Sequence, residues 1–130
     1  MLSESTRQLA NGPNFAVLTT RMPDGHAQTH VMWVGHDDEH LLINTELHRQ
    51  KAKNVTRDPR VTVTIIDRND PYSFVEIRGT VVDTVTGAPA RRHIDDLSLK
   101  YNGRPYPSDR IHSERVILKV RPDREFVRTR

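Results

Sequence analysis

One segment of the chain concentrates side chains that bind anions. Residues 45–55 read Thr-Glu-Leu-His-Arg-Gln-Lys-Ala-Lys-Asn-Val, and Arg49, Lys51 and Lys53 place three cations within five residues. The segment follows a predicted strand and opens a predicted helix, whose first backbone N–H groups and dipole favour an anion. Arginine adds a fork that matches phosphate oxygens, and lysine adds a compact charge. The segment therefore predicts a phosphate site, with a solvated helix face as the alternative.

The position of the helix start decides whether these cations converge. If the helix began at Thr45, Arg49 and Lys51 would point about 200° apart and would not share a ligand. They converge only if the chain stays irregular to about His48 or Arg49. We therefore predict a late helix start, within a short helix over residues 48–58.

Other arrangements that support chemistry are weaker. His26 and His30, like His36 and His40, stand four residues apart, but they fall in a strand and across a turn rather than on a helix. The chain has no cysteine, which excludes disulfides and thiolate chemistry, and it has no GxSxG motif. We therefore predict no metal site and assign no catalytic side chain.

The composition describes one domain over residues 1–130 with a lean core. Because only 35% of the residues are hydrophobic and 28% are charged, we expect more apolar surface to be buried against a second subunit. The net charge of +3 is spread over several clusters, which suits a phosphorylated small molecule as well as a nucleic acid. No run of aromatic residues alternates with basic ones, so we expect no nucleic-acid partner.

The N-terminal residues point to a cytoplasmic protein. They lack a basic region followed by an apolar run, which argues against a signal peptide. No stretch of the chain approaches the ~20 apolar residues that span a bilayer. We therefore expect no membrane partner.

Local patterns predict an α+β fold, mainly β, with six to seven antiparallel strands and about three helices. The first three strands are expected to form a meander, and nearly all strand pairs are expected to be neighbours in the sequence, in a closed or nearly closed barrel. Gly79 lies inside a long strand and predicts a bulge or a close backbone approach. The predicted strands are 15–20, 26–34, 41–43, 61–66, 72–84, 116–120 and 125–127, and the predicted helices are 3–11, 48–58 and 87–101.

Seven short motifs occur in an order that is typical of one family. The ordered set resembles the pyridoxamine 5′-phosphate oxidase-like proteins, and most of all their flavin and deazaflavin oxidoreductase branch. The resemblance covers residues 10–85 well and is looser beyond. The motifs that carry it are FAVLTT at 15–20, PDG at 23–25, VMWV at 31–34, LLINT at 41–45, RQKAKNV at 49–55, DPRV at 58–61 and EIRGT at 76–80.

The resemblance implies a split β-barrel of the FMN-binding type that forms a homodimer with two cofactor sites at the interface. Family members hold the cofactor phosphate with basic residues just after the third strand. The matching positions here are Arg49 and Lys51, with Thr45 and Gln50 beside them.

The resemblance also assigns the rest of the site. The strand through His30, Met32 and Trp33 corresponds to the one that lies along the cofactor ring system. Tyr72 matches a position where one subunit contributes an aromatic residue to the site of its partner. The chain has no counterpart of the C-terminal arginine and histidine motif that binds substrate in the true oxidases, so we do not expect it to oxidise vitamin B6.

The resemblance implies an enzyme that transfers a hydride from reduced coenzyme F-420 to an unsaturated organic acceptor. Because the chain has no cysteine or metal site, its redox chemistry must come from a cofactor. An FMN-dependent oxidoreductase of the same family is an alternative, since both cofactors carry a phosphate and a three-ring system. A protein that binds F-420, flavin or haem without catalysis is another. The acceptor is not defined, but we expect the loop over residues 101–112 to shape its site, and either solvent or His30 to supply a proton.

Overall fold

A computed structural model describes residues 1–129, which contain seven strands and three α-helices. The predicted α+β class, the number of strands and the number of helices are confirmed. The elements are α1 (Glu4–Asn11), β1 (Phe15–Arg21), β2 (Ala27–Met32), β3 (Gly35–His36), β4 (Leu41–Glu46), α2 (Gln50–Arg57), β5 (Arg60–Ile66), β6 (Phe74–Thr86), α3 (Ala88–Asn102), a 3-10 turn (Ser108–Arg110) and β7 (Arg115–Arg128).

The strands form one antiparallel sheet in the order β2-β1-β5-β6-β7-β4-β3. The predicted meander is wrong at its third strand, because β4 pairs with β7 and the short β3 rather than with β2. The expectation that strand pairs are neighbours in the sequence also fails for β1 with β5. Burial explains the arrangement: five of the six β4 residues are buried, which requires neighbours on both sides, whereas four of the six β2 residues are exposed, which suits an edge.

The last strand is continuous, so the two predicted strands at 116–120 and 125–127 are one element. Pro122 lies opposite Gly79, where the β6–β7 register shifts, and a second shift lies between Val81 and Asp83. These bulges let the ladder bend without ending. A Cβ on Gly79 would lie 2.5 Å from the Arg121 carbonyl oxygen, which confirms the predicted close backbone approach.

Alternate residues of the strands fill one apolar core. Bending of β6 and β7 curls the sheet around this core, so that the edge of β2 and the end of β4 face each other across a cleft. This is the predicted split β-barrel with its open side between those two strands. The core residues contributed by strands are Ala16, Leu18, Leu41, Ile43, Val61, Val63, Ile65, Val75, Ile77, Val116, Leu118 and Val120.

The helices cover the sheet and fix its loops. Ser3 caps α1 by accepting a hydrogen bond from the Thr6 N–H at 3.2 Å. Gly103 ends α3 in the left-handed region, with φ of 75°, which glycine adopts without strain. No helix within residues 1–129 has the length and apolar character needed to cross a membrane.

Candidate functional site

The gap between β2 and β4 forms a cleft of about 500 Å³, which we call the strand cleft. It is walled by β2 on one side, by the end of β4 and the start of α2 on the other, and by one residue from the loop after α3. Because it lies at the open side of the barrel, a ligand can enter without unfolding the sheet. The lining residues are Thr29, His30, Val31, Met32, Asn44, Thr45, Glu46, Arg49, Lys51, Tyr106 and Arg115.

The start of α2 brings two of the predicted cations into this cleft. The helix begins at Gln50 and Arg49 is its extended N-cap residue, so the predicted late start is confirmed. Arg49 and Lys51 therefore both line the strand cleft, while Lys53 is exposed and does not. Partial burial and the neighbouring Arg49 charge lower the pKa of Lys51. The negative charge of an anion bound here would offset both effects and raise the pKa of Lys51.

Strand β2 supplies the opposite wall. His30 pairs with Leu18 and Met32 pairs with Ala16, so both side chains point to the core face of the sheet. At the open side of the barrel that face becomes the wall of the strand cleft, and His30 is exposed there. Within residues 1–129, β1 is the one strand beside β2, so the backbone polar groups along the other edge of β2 can bind a ligand.

Trp33 lies just beyond β2, in an apolar pocket that adjoins the strand cleft. Its ring stacks on Tyr101 with centroids 5.2 Å apart and an interplanar angle of 8°. The Tyr101 hydroxyl donates to the Asn14 carbonyl oxygen and accepts from the Val34 N–H at 3.2 Å. These bonds hold the stack in place, so Trp33 presents a fixed aromatic surface.

Two other predicted residues lie elsewhere in the subunit. Gln50 does not line the strand cleft; its amide donates to the Asn54 side-chain oxygen at 2.9 Å, within α2. Tyr72 lies in the turn between β5 and β6, and it is 60% exposed. Its predicted contribution to the site of a partner subunit stays a prediction.

Sequence reasoning missed a buried network on the β4 side of the strand cleft. Arg115 and Glu46 are directly opposite each other on β7 and β4, with Arg115 Nη1 3.4 Å from Glu46 Oε2. Arg115 Nε also donates to Asn44 Oδ1 at 2.8 Å, and the Tyr106 ring centroid lies 5.3 Å from the guanidinium carbon. Two opposite charges facing each other on neighbouring strands would have indicated the network. That arrangement is apparent only once β4 and β7 are known to pair.

The network keeps both of its charged groups ionised. Burial acts to raise the pKa of Glu46, but hydrogen bonds from the Ser113 and His112 N–H groups and the Arg115 charge outweigh it and lower the pKa. Burial lowers the pKa of Arg115, although arginine remains charged at any working pH. The Asn44 side-chain nitrogen lies 3.0 Å from His93 Nδ1. Burial lowers the pKa of His93 to about 4.

Two of the histidines considered as metal ligands lie against carboxylates. His26 Nδ1 lies 2.9 Å from an Asp24 carboxylate oxygen, and His40 Nδ1 lies 3.0 Å from one of Asp37. Across residues 1–129, no group of three or more potential ligands stands close enough together to hold a metal ion.

Several solved structures have a fold similar to that of this chain. An F-420 reductase has 33% sequence identity and a TM-score of 0.82, with 96% of this chain and 98% of that chain covered. A conserved hypothetical protein of Mycobacterium tuberculosis has 22% identity and a TM-score of 0.70, with 96% and 83% covered. General stress protein 26 of Bacillus anthracis has 20% identity and a TM-score of 0.73, with 96% and 92% covered. The last two share the fold alone.

The family comparison covers nearly the whole chain. No curated protein matches this chain. Residues 2–128 match the pyridoxamine 5′-phosphate oxidase family, which confirms the resemblance drawn from the sequence motifs. The chain belongs to the pyridoxamine 5′-phosphate oxidase family.

Proposed function

We propose that this chain is an oxidoreductase that binds coenzyme F-420 in the strand cleft and reduces an unsaturated organic acceptor. The observation that carries the proposal is the convergence of Arg49 and Lys51 on one cleft whose other wall is the open edge of β2. The family is one of flavin-related oxidoreductases, and the 33% identity to an F-420 reductase over 96% of the chain favours the deazaflavin cofactor.

The donors of the strand cleft fit a phosphate-bearing cofactor with a planar ring system. Arg49 and Lys51 would hold the phosphate, with the buried Thr45 beside them. The β2 backbone would hydrogen bond the polar edge of the ring, while Met32 offers apolar contact. When bound, the cofactor supplies the hydride, which no side chain of this cysteine-free chain can do.

Two contributions of the protein to the reaction follow from this placement. The site lowers the pKa of the Lys51 ammonium. An anion bound beside Lys51 would raise that pKa again, so the ammonium stabilises the bound phosphate. His30 is exposed on the wall of the strand cleft, where its imidazole can deliver a proton to the acceptor, with solvent as the other source.

We further propose that the chain works as a homodimer with the cofactor sites at the interface. Large apolar side chains are exposed on the sheet, including Val31 at 66% and Phe126 at 54%. Exposed apolar side chains on one face of a sheet favour burial against a second subunit. In the dimer, Tyr72 would reach the partner's cleft. Light scattering after gel filtration tests this: the wild type should be a dimer, and Val31→Lys together with Phe126→Lys should shift it to monomer.

Paired titrations of the purified protein with F-420 and FMN, followed by Trp33 fluorescence, test the cofactor. We expect tighter binding of F-420, and loss of that binding in the variant with Arg49→Ala and Lys51→Ala. Lys53→Ala is the matched control, since it removes a lysine from the same helix outside the cleft and should bind normally. Preference for FMN would assign the flavin alternative, and binding of neither cofactor would overturn the proposal.

Turnover separates an enzyme from a binding protein. Reduced F-420 mixed with the protein and a panel of conjugated acceptors should be oxidised, and the rate should fall in the variant with Arg49→Ala and Lys51→Ala. Tight binding without oxidation in the presence of any acceptor would indicate a protein that binds the cofactor without catalysis.

A further inference from the structure

An apolar pocket of about 210 Å³ opens beside the strand cleft, and we call it the aromatic pocket. It shares Val31, Met32, Asn44, Tyr106 and Arg115 with the strand cleft, so the two spaces meet. A molecule held in the aromatic pocket would therefore contact a group bound along β2. The apolar lining residues are Val31, Met32, Trp33, Ile94, Leu97 and Tyr106.

The walls of the aromatic pocket are fixed and flat. The Trp33 and Tyr106 rings meet edge to face with centroids 6.2 Å apart. The Tyr106 N–H donates to Asp95 Oδ1 at 2.9 Å, and its carbonyl oxygen accepts from Arg91 Nη2 at 3.3 Å. Arg91 and Asp95 are themselves paired at 2.7 Å on α3. The two rings stand at 88° to each other, so a planar ligand can lie along one ring with its edge against the other, and the fixed side chains leave little room for a bulky ligand.

Arg115 is the one charged side chain among the described residues that line this pocket. It is 8% exposed, and its contacts with Asn44 and Glu46 engage Nε and Nη1. Within residues 1–129, these contacts leave Nη2 for a ligand. The planar guanidinium is thus held in one orientation, which suits a carboxylate better than a mobile cation would.

The local balance of charge also favours an anion. Glu46 is the one carboxylate among the described lining residues of the two spaces, and its Oε1 already accepts hydrogen bonds from the His112 and Ser113 N–H groups at 2.6 and 2.8 Å. Against it stand Arg49, Lys51 and Arg115. A cofactor phosphate would engage the first two cations and leave Arg115 for a second anion.

We propose that the acceptor is a planar, conjugated carboxylic acid, held by Trp33 and Tyr106 with its carboxylate on Arg115. This rests on the proposed function, because it names the acceptor class of that same site. In the reaction, the acceptor gains a hydride at one carbon of its C=C bond and a proton at the other. The π bond breaks, two C–H bonds form, and the reduced deazaflavin loses the two electrons that the acceptor gains.

The test uses a pair of ligands that differ in charge and share a shape. Trp33 is the only tryptophan in the chain, so its fluorescence reports entry into the aromatic pocket. The protein without cofactor is titrated with trans-cinnamate and with trans-cinnamamide. We expect cinnamate to bind at least about tenfold more tightly, since a hydrogen bond to a charged group contributes on that order. Equal affinities, or no change in fluorescence with either ligand, would overturn the proposal.

Variants identify the cation responsible. Arg115→Met combined with Glu46→Gln removes both charges and keeps their volumes, and should abolish the preference for cinnamate. Arg115→Lys keeps the charge without the fork and should retain part of the preference. The proposal is overturned if the preference for cinnamate survives in the double variant, or if it disappears in Lys51→Ala, since either result would place the acid at the phosphate end. Lys51→Ala gives this answer even if the Arg115 variants fold poorly.

The cofactor titration is independent of this measurement, so the two proposals fail separately. If F-420 binds to the wild type and cinnamate shows no advantage over cinnamamide, the acceptor class is wrong and the proposed function stands. If cinnamate shows the Arg115-dependent advantage and neither cofactor binds, the carboxylate site stands and the oxidoreductase function fails.

Discussion

The two sets of cations in the strand cleft are built in different ways. Arg49 and Lys51 come from one short stretch of the chain, and Arg49 is exposed where α2 begins. Arg115 comes from the start of the last strand, is 8% exposed and contacts Asn44 and Glu46. The first set depends on local structure, and the second depends on the pairing of β4 with β7.

This difference separates binding from stability. A cation on the rim of a cleft can adjust to its ligand, and its removal leaves no buried partner behind. A buried cation is already oriented for a ligand, but its removal leaves the opposite charge uncompensated. We therefore expect changes at Arg49 and Lys51 to weaken ligand binding, and changes at Arg115 to destabilise the fold first.

The largest expected effect is that of Arg115→Met. This substitution leaves Glu46, which is 2% exposed, buried beside an apolar side chain. We expect it to lower the free energy of unfolding by roughly 3–5 kcal/mol, as measured by urea denaturation. Adding Glu46→Gln should restore most of that loss, because the amide can still accept from the His112 and Ser113 N–H groups. A double variant as unstable as the single one would contradict the pairing.

The buried side of the cleft should also be sensitive to acid. Burial lowers the pKa of His93 from 6.5 to about 4, so the unfolded chain binds more protons between those two values. Stability should therefore fall as the pH decreases from 6.5 to 4, by about 3.5 kcal/mol at most at ~1.4 kcal/mol per pH unit. Urea denaturation across this range checks it. His93→Gln should flatten the profile there, while the loss linked to Glu46 should persist at lower pH.

In contrast to Arg115→Met, Lys51→Ala should weaken ligand binding and leave the free energy of unfolding nearly unchanged. We expect the affinity for the phosphate-bearing cofactor to fall about 10- to 100-fold, the order of one charge-assisted hydrogen bond. The free energy of unfolding should change by less than about 0.5 kcal/mol, since the side chain is at the rim. Lys53→Ala is the control, and an equal loss of affinity in both variants would mean that α2 acts only through its overall charge.

The smallest effect is expected at the ring that covers Arg115. Tyr106→Leu removes the aromatic face above the guanidinium and should cost roughly 1–2 kcal/mol of stability, between the ranges of an exposed and a desolvated cation–π contact. Urea denaturation beside Tyr106→Phe, which keeps the ring, checks it. If Tyr106→Phe is as unstable as Tyr106→Leu, the hydroxyl rather than the ring supports the network.

Much of the fold follows from local patterns. The helix over 48–58 and its late start depend on neighbouring residues, and both are confirmed. The close approach at Gly79 is also confirmed, although the backbone it approaches is that of Arg121 on β7. The ordered motifs also identify the family. The cluster of cations after β4 indicated one wall of the strand cleft, because a helix start and its first turn are local features. All of the predicted cofactor-binding roles stay predictions: those of Thr45, Arg49, Gln50, Lys51, His30, Met32, Trp33 and Tyr72.

The sequence by itself therefore determined most of the elements, the family and the cation-rich start of α2. Only the tertiary structure decided that β4 leaves the first hairpin and pairs with β7, which brings Glu46 opposite Arg115 although about 70 residues separate them. The physical reason is that periodicity reports which face of a strand is buried, but not which strand lies beside it. Strand order depends on how the whole chain buries its apolar surface, and the buried side of the cleft depends on that order.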